Sequence, residues 1–266
     1  AVAAYVDDSW TWADNWWRAL LALVVSLALQ VGVNYANDYS DGIRGTDEDR
    51  VGPLRLVGSG LVPAPLVKRA AFLSFGVAAA ARLVLAATTA WWLLAVGSVC
   101  VLAAWFYTGG EKPYGYIGLG EVMVFVFFGL VAVMGTTYVQ TESLESAQVL
   151  PSLWGALPVG AMACAILVTN NLRDIPTDEV AGKMTLAVRL GEKRTRIFFA
   201  LLVAVAIAGV IALAASTTWW ALVGLIVLPM SGRPLRIVLT GGKGPRLIAA
   251  LGQIGMAQLG CSLALF

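Results

Sequence analysis

Apolar residues fall into eight long runs, at about 16–36, 66–87, 91–107, 118–140, 149–169, 197–215, 217–237 and 246–266, separated by polar segments. Each run is near the roughly 20 residues that cross about 30 Å of hydrocarbon at about 1.5 Å per helical residue. The pattern predicts an all-α fold, a polytopic transmembrane helical bundle. Ala1 to Val6 is apolar but too short to cross, and reads as the stub of a ninth helix at the N-terminus, truncated here. Residues 1–266 read as a single transmembrane domain.

The polar segments give the topology. Every Lys and Arg except Arg18 and Arg82 falls on one side when alternate loops are assigned to alternate faces, and Lys and Arg accumulate in cytoplasmic loops. The opposite loops carry only acids: Asp7, Asp8, Asp14, Glu142 and Glu145. This puts the C-terminus outside. Arg82, about a turn and a half from the outer end of its run, reads as a side chain snorkelling to the boundary. Trp10, Trp12, Trp16, Trp17, Trp91, Trp92, Trp219 and Trp220 mark outer helix ends as an interfacial belt.

Of the 266 residues, 59% are hydrophobic and 13% charged, too little charge to cover a water-soluble fold of this size. The chain contains no histidine, which excludes a Ser-His-Asp triad and His-ligated zinc or haem. Cys100, Cys164 and Cys261 lie far apart in apolar runs, so neither a CxxC site nor a disulfide framework is indicated. A net charge of +2 gives no footprint for nucleic acid. The partner that composition demands is the lipid bilayer.

The two longest connections, 37–65 and 170–196, each follow an apolar run ending in Asn and Asp, and stand four runs apart. This weak repeat predicts two similar four-helix halves with a ligand site between them. In the first motif a helix reaching Asp41 would place Asn34, Asp38 and Asp41 on one face together with Asn37. Asp47, Glu48 and Asp49 follow. In the second, Asn170, Asn171 and Arg173 precede Asp174 and Asp178, which are helical neighbours unless Pro176 kinks the segment or starts a new one. Carboxylates at a membrane boundary are costly unless they meet water, a cation or a partner. Two separated Asp pairs suit Mg²⁺, which takes oxygen ligands and bridges carboxylates to substrate phosphates. Arg44, Arg50, Arg173 and Lys183 are the nearby cations that could balance a diphosphate. A third loop on the same side, from Tyr107 through Lys112 and Tyr114 to Glu121, groups Tyr, Glu and Lys in a way that suits a polar aromatic. Glu121 falls just inside the fourth run and needs a partner.

These motifs resemble those of the UbiA superfamily of intramembrane aromatic prenyltransferases. Asn37, Asp38 and Asp41 match its NDxxDxxxD motif, and Asp174 and Asp178 match its DxxxD motif. The final acid of the first motif would fall at Gly45, leaving Asp47 or Asp49 as the substitute. Residues 34–60, 107–121 and 170–191 look most like the branch acting on 1,4-dihydroxy-2-naphthoate in menaquinone synthesis. The resemblance implies a single prenyltransferase domain of nine helices in a bacterial plasma membrane, and Mg²⁺-dependent ionisation of a polyprenyl diphosphate. Attack by the ring of 1,4-dihydroxy-2-naphthoate and loss of CO2 then give demethylmenaquinone. It implies metal binding by Asp38, Asp41, Asp174 and Asp178. Lys183, with Arg44 or Arg173, would hold diphosphate. Asn34, Asn37, Asn170, Asn171, Tyr107, Lys112 and Tyr114 would contact substrate.

Other readings remain open. The acceptor could be another aromatic such as 4-hydroxybenzoate. The repeated halves could instead form a cation-coupled secondary transporter, although transporter sites lie at the midplane, away from basic loops. Asp38-x-x-Asp41-Gly42 also begins like a CDP-alcohol phosphatidyltransferase signature, but its later acids are missing.

Overall fold

In the computed structural model the described residues are 11–45 and 54–265; Ala1 to Val6, Asp47, Asp49 and Arg50 lie outside them. Eight helices follow in order: α1 (Trp12–Arg44), α2 (Ala64–Thr88), α3 (Trp92–Phe106), α4 (Gly120–Thr141), α5 (Ser146–Val180), α6 (Leu186–Ser216), α7 (Trp219–Leu239) and α8 (Pro245–Leu265). Seven are long and apolar enough to cross a membrane. The exception is α3, with 15 residues.

The two helices that carry the acid motifs outrun the apolar runs that predict them. Helix α1 has 33 residues because the polar motif continues the helix instead of ending it. Thr11 caps its start, accepting from the Asp14 backbone N–H, and Gly45 at φ 73° ends it in the left-handed conformation that glycine tolerates. Helix α5 has 35 residues and runs through Pro151, Pro158 and Pro176. Each proline removes one backbone bond, but 67% of the most apolar window of α5 is buried, and that packing holds the helix. Pro176 therefore starts no new segment, and the second long connection shortens to residues 181–185.

Helix α1 packs mainly on α2, and α5 mainly on α6, corresponding contacts in the two halves. The second half holds the larger core, around Met162, Val168, Phe199, Val210, Val227 and Ile254. In the first half Ala36, Ala71 and Phe75 form one small core and Leu85, Ala86, Leu93 and Val139 another. Lipid supplies no hydrophobic drive between spans, so close backbone approach carries much of the packing. At the α4–α5 crossing, a Cβ on Gly129 would lie 2.8 Å from the Gly160 Cα. Helix α4 carries a π-helical segment, Phe125–Val131, at this contact.

Outside the cores Leu20, Leu23, Leu27, Leu201 and Leu263 stay exposed, as a lipid-facing surface requires. Arg82 does not follow the snorkelling expectation. Its guanidinium lies against α3 at Gly97, where a Cβ would stand 1.7 Å from Nη1.

Candidate active site

Lys183, in the 181–185 turn, bridges Asp41 on α1 and Asp178 on α5, and the 107–119 loop bonds to α1 through Thr108 and Tyr116. On α1 the polar face resolves into unequal positions. Asn34 is exposed and its amide donates to the Gln30 carbonyl at 2.8 Å. Asn37 accepts from Thr108 Oγ1 at 2.9 Å, which fixes the third loop to α1. Asp38 is buried, and its two oxygens accept the backbone N–H groups of Leu56 and Val57 at 2.9 and 3.0 Å. Gly42 permits this, since a Cβ there would lie 2.5 Å from Val57 Cγ1. Asp41, one turn on from Asp38 and also buried, points elsewhere: Oδ1 accepts from the Tyr116 hydroxyl at 2.8 Å and Oδ2 faces Lys183 Nζ at 3.8 Å.

On α5, Asp178 Oδ1 lies 3.9 Å from the same Lys183 ammonium. Lys183 reaches both acids because the turn after α5 closes on itself, with the Lys183 N–H donating to the Asp178 carbonyl at 2.8 Å. One turn earlier, Asp174 is held bidentately by Arg173, Nε to Oδ1 at 2.6 Å and Nη2 to Oδ2 at 2.7 Å, both groups buried. Asn170 braces the pair by accepting from Arg173 at 2.8 Å. Asn171 turns away to donate to Glu121 Oε1 at 2.9 Å.

The third loop supplies the floor. Burial pushes the phenol of Tyr107 well above its ordinary range, and the carboxylate of Glu121, Tyr114 and the carboxylates of Asp41 and Asp178 push it further. Burial pushes the Tyr114 phenol up to about 12. Both are therefore neutral hydroxyls at any working pH. Tyr114 donates to the Ala103 carbonyl at 2.7 Å and sets its ring edge-on to Tyr107 at 5.5 Å.

The UbiA prenyltransferase family model matches residues 3–239 of the chain. The chain belongs to the UbiA prenyltransferase family. Over 99% of the chain it is 52% identical to the 1,4-dihydroxy-2-naphthoate octaprenyltransferase of Mycobacterium tuberculosis, covering 88% of that protein. It is 48% identical to the protein of the same name from Mycobacterium leprae, with the same coverage of both chains. The fold is similar, at a TM-score of 0.56 and 16% identity, to a solved digeranylgeranylglyceryl phosphate synthase, covering 93% of this chain and 84% of that one.

In this UbiA-family site the structure draws together Asp41, Asp178 and Lys183, and adds Tyr116, which the motifs alone do not single out. Its ring lies between two cations, with Arg44 at 5.5 Å and Lys183 at 5.1 Å from the centroid. The Arg44 guanidinium donates to the Thr108 and Gly110 carbonyls and ties α1 to the third loop. Lys112 is exposed and makes no hydrogen bond or ion pair to another described residue. The substitute acids Asp47 and Asp49 lie outside the described residues.

Among the described residues, no group of three acids or thiols is ready to enclose a metal ion. The donor chemistry still fits a hard divalent cation. Asp41 and Asp178, from facing helices, already share one positive charge, and Mg²⁺ commonly takes one or two carboxylates and completes its shell with water and phosphate.

Proposed function

We propose that this chain transfers a polyprenyl group from polyprenyl diphosphate to 1,4-dihydroxy-2-naphthoate, giving demethylmenaquinol, the reduced form of demethylmenaquinone, with release of diphosphate and CO2. The observation that carries the reading is the sharing of the Lys183 ammonium by Asp41 of α1 and Asp178 of α5. Acids and an ammonium so placed suit a diphosphate brought in with Mg²⁺, and the names of the two mycobacterial relatives support the acceptor.

Asp41 and Asp178 would hold Mg²⁺, with Asp174 one turn from Asp178 and Asp38 bracing the backbone at Leu56 and Val57. When bound, the metal would supply electrostatic stabilisation to the leaving diphosphate. Lys183 is then released from the carboxylates to the diphosphate oxygens. Arg173 orients Asp174 and keeps its charge balanced before substrate arrives. The apolar walls exclude water from the allylic cation and let the prenyl chain run towards lipid. The acid end faces the cytoplasm in this reading, in a bacterial plasma membrane, because the basic loops lie at that end.

The test gives membranes containing the chain a labelled polyprenyl diphosphate and Mg²⁺, with 1,4-dihydroxy-2-naphthoate or 4-hydroxybenzoate in parallel, each repeated with EDTA. The expected product is an EDTA-sensitive prenylated naphthohydroquinone, recovered as the quinone after oxidation in air, from the first acceptor alone. Prenylation of 4-hydroxybenzoate instead would overturn the acceptor assignment. Ion flux in proteoliposomes without prenyl transfer would overturn the reaction.

A further inference from the structure

Glu121 is a buried acid for which the diphosphate chemistry has no use. It opens α4, is 4% exposed, and is held from two sides: Asn171 donates to its Oε1 at 2.9 Å, and the Cys164 thiol donates to its backbone carbonyl at 3.1 Å. Its other oxygen, Oε2, is buried with no hydrogen-bond partner among the described residues. Burying a carboxylate oxygen unmatched costs free energy, so a carboxylate whose only task was to join α4 to α5 would be a poor choice beside a neutral amide.

The surroundings narrow what could supply the partner. The Tyr107 hydroxyl lies beside the start of α4, 3.2 Å from where a Cβ on Gly120 would stand. Glu121 is tied to α5 through Asn171, three residues before Asp174 on that helix. Glu121 therefore joins α5 about one helical turn from Asp174, with the Tyr107 phenol beside the start of its own helix. Diphosphate offers only acceptor oxygens and is repelled by a carboxylate. Among the described residues no Lys or Arg is paired with Glu121. The missing partner is a neutral O–H donor, and an aromatic surface stands next to it.

We propose that Glu121 Oε2 accepts the hydrogen bond of a ring hydroxyl on the aromatic acceptor, with Asn171 fixing the carboxylate and the Tyr107 ring flanking the substrate. This rests on the prenyltransferase reading and adds the residue that recognises its second substrate. A phenol bonded to a carboxylate gives up electron density to its ring, so the same contact makes the attacking carbon a better nucleophile. A site built to bond a hydroxyl also rejects the arene that lacks it far more strongly than an apolar pocket could.

The test is Glu121→Gln, which keeps the shape and can still accept from Asn171 but turns the Oε2 position into a donor. The expected result is an acceptor KM raised about 10-fold or more, with the KM for polyprenyl diphosphate unchanged. Calorimetric titration of the hydroxynaphthoate into the purified protein without prenyl donor should show the same loss of affinity. Glu121→Asp, which keeps the charge one methylene back, should recover part of both. The thermal midpoint should barely move in Gln, whereas a purely structural acid would shift it and leave both KM values alone. Unchanged acceptor KM and affinity in Gln, or an equal rise in the diphosphate KM, would overturn the proposal. Failure of the wild type to prenylate 1,4-dihydroxy-2-naphthoate sinks the acceptor identity instead. The Gln comparison is then read on whichever hydroxyarene the wild type does prenylate or bind, and equal affinity there still overturns the role of Glu121.

Discussion

Asp41 and Asp178 lie on helices from different halves of the chain, yet each stands within 4 Å of the single ammonium of Lys183. An ammonium shared by two buried carboxylates is a counter-charge that a divalent ion can replace. Lys183→Met should therefore lower the thermal stability of the metal-free protein by about 2 kcal/mol. That is less than a fully buried pair would lose, because the Lys183 side chain keeps 21% of its surface exposed. Mg²⁺ should then stabilise the variant more than it stabilises the wild type, since no lysine competes for the acids. Thermal unfolding in detergent across a Mg²⁺ series checks this, and a smaller Mg²⁺ effect in the variant would refute the shared site.

Tyr116 adds a hydroxyl to the same carboxylate. Tyr116→Phe removes one hydrogen bond to a charged oxygen and leaves the ring between its two cations, so the loss should be near 1.5 kcal/mol, or about tenfold in turnover. Prenyl transfer by purified protein measures it. The acceptor KM should stay within about twofold, because the hydroxyl serves Asp41 and not the aromatic substrate.

How much of this was legible in the chain depended on the kind of signal. Runs of apolar residues locate the eight helices, although α3, at 15 residues, is shorter than the span that hydrocarbon thickness sets for the others. They do not show that α1 continues to Arg44 or α5 to Val180, because hydropathy falls at the motifs while the helical hydrogen bonds persist. Asp41, Asp178 and Lys183 could be singled out as acids and a cation beside apolar runs. The division of labour between Asp38 and Asp41 could not. It depends on where the Leu56 and Val57 amides return, a contact across a loop that leaves no periodicity behind. The Arg44 contacts are hidden for the same reason: charge is visible in a sequence, but the Thr108 and Gly110 carbonyls that its guanidinium meets are not.

The crossing of α4 and α5 makes a prediction that does not depend on chemistry. A Cβ on Gly160 would stand 3.0 Å from the Gly129 Cα, so Gly160→Val forces the helices apart and should destabilise the protein by about 1–3 kcal/mol. Helix α5 also carries Asp174, Asp178 and Asn171, so activity should fall along with the thermal midpoint. Gly135, with open space around it, is the control: Gly135→Ala should leave both unchanged.

Asp38 and Asp41 are neighbours in the same motif, and the structure gives them different work. Both oxygens of Asp38 receive backbone N–H groups, the arrangement of a carboxylate that pins a loop, while Asp41 faces Lys183 and Tyr116. Asp38→Asn can satisfy only one of the two amides, because its NH2 cannot accept. The 54–62 loop should then open more often, lowering stability by about 1–3 kcal/mol and exposing the loop to limited proteolysis. Turnover at saturating Mg²⁺ should fall moderately, with little change in the Mg²⁺ concentration for half-maximal rate. Asp41→Asn should do the reverse: an intact loop, turnover reduced about 100-fold or more, and a half-maximal Mg²⁺ concentration raised about tenfold. A proteolysis time course and a Mg²⁺ titration on the two variants separate the roles. Equal Mg²⁺ shifts in both would mean that Asp38 leaves the Leu56 and Val57 amides to bind the metal during turnover.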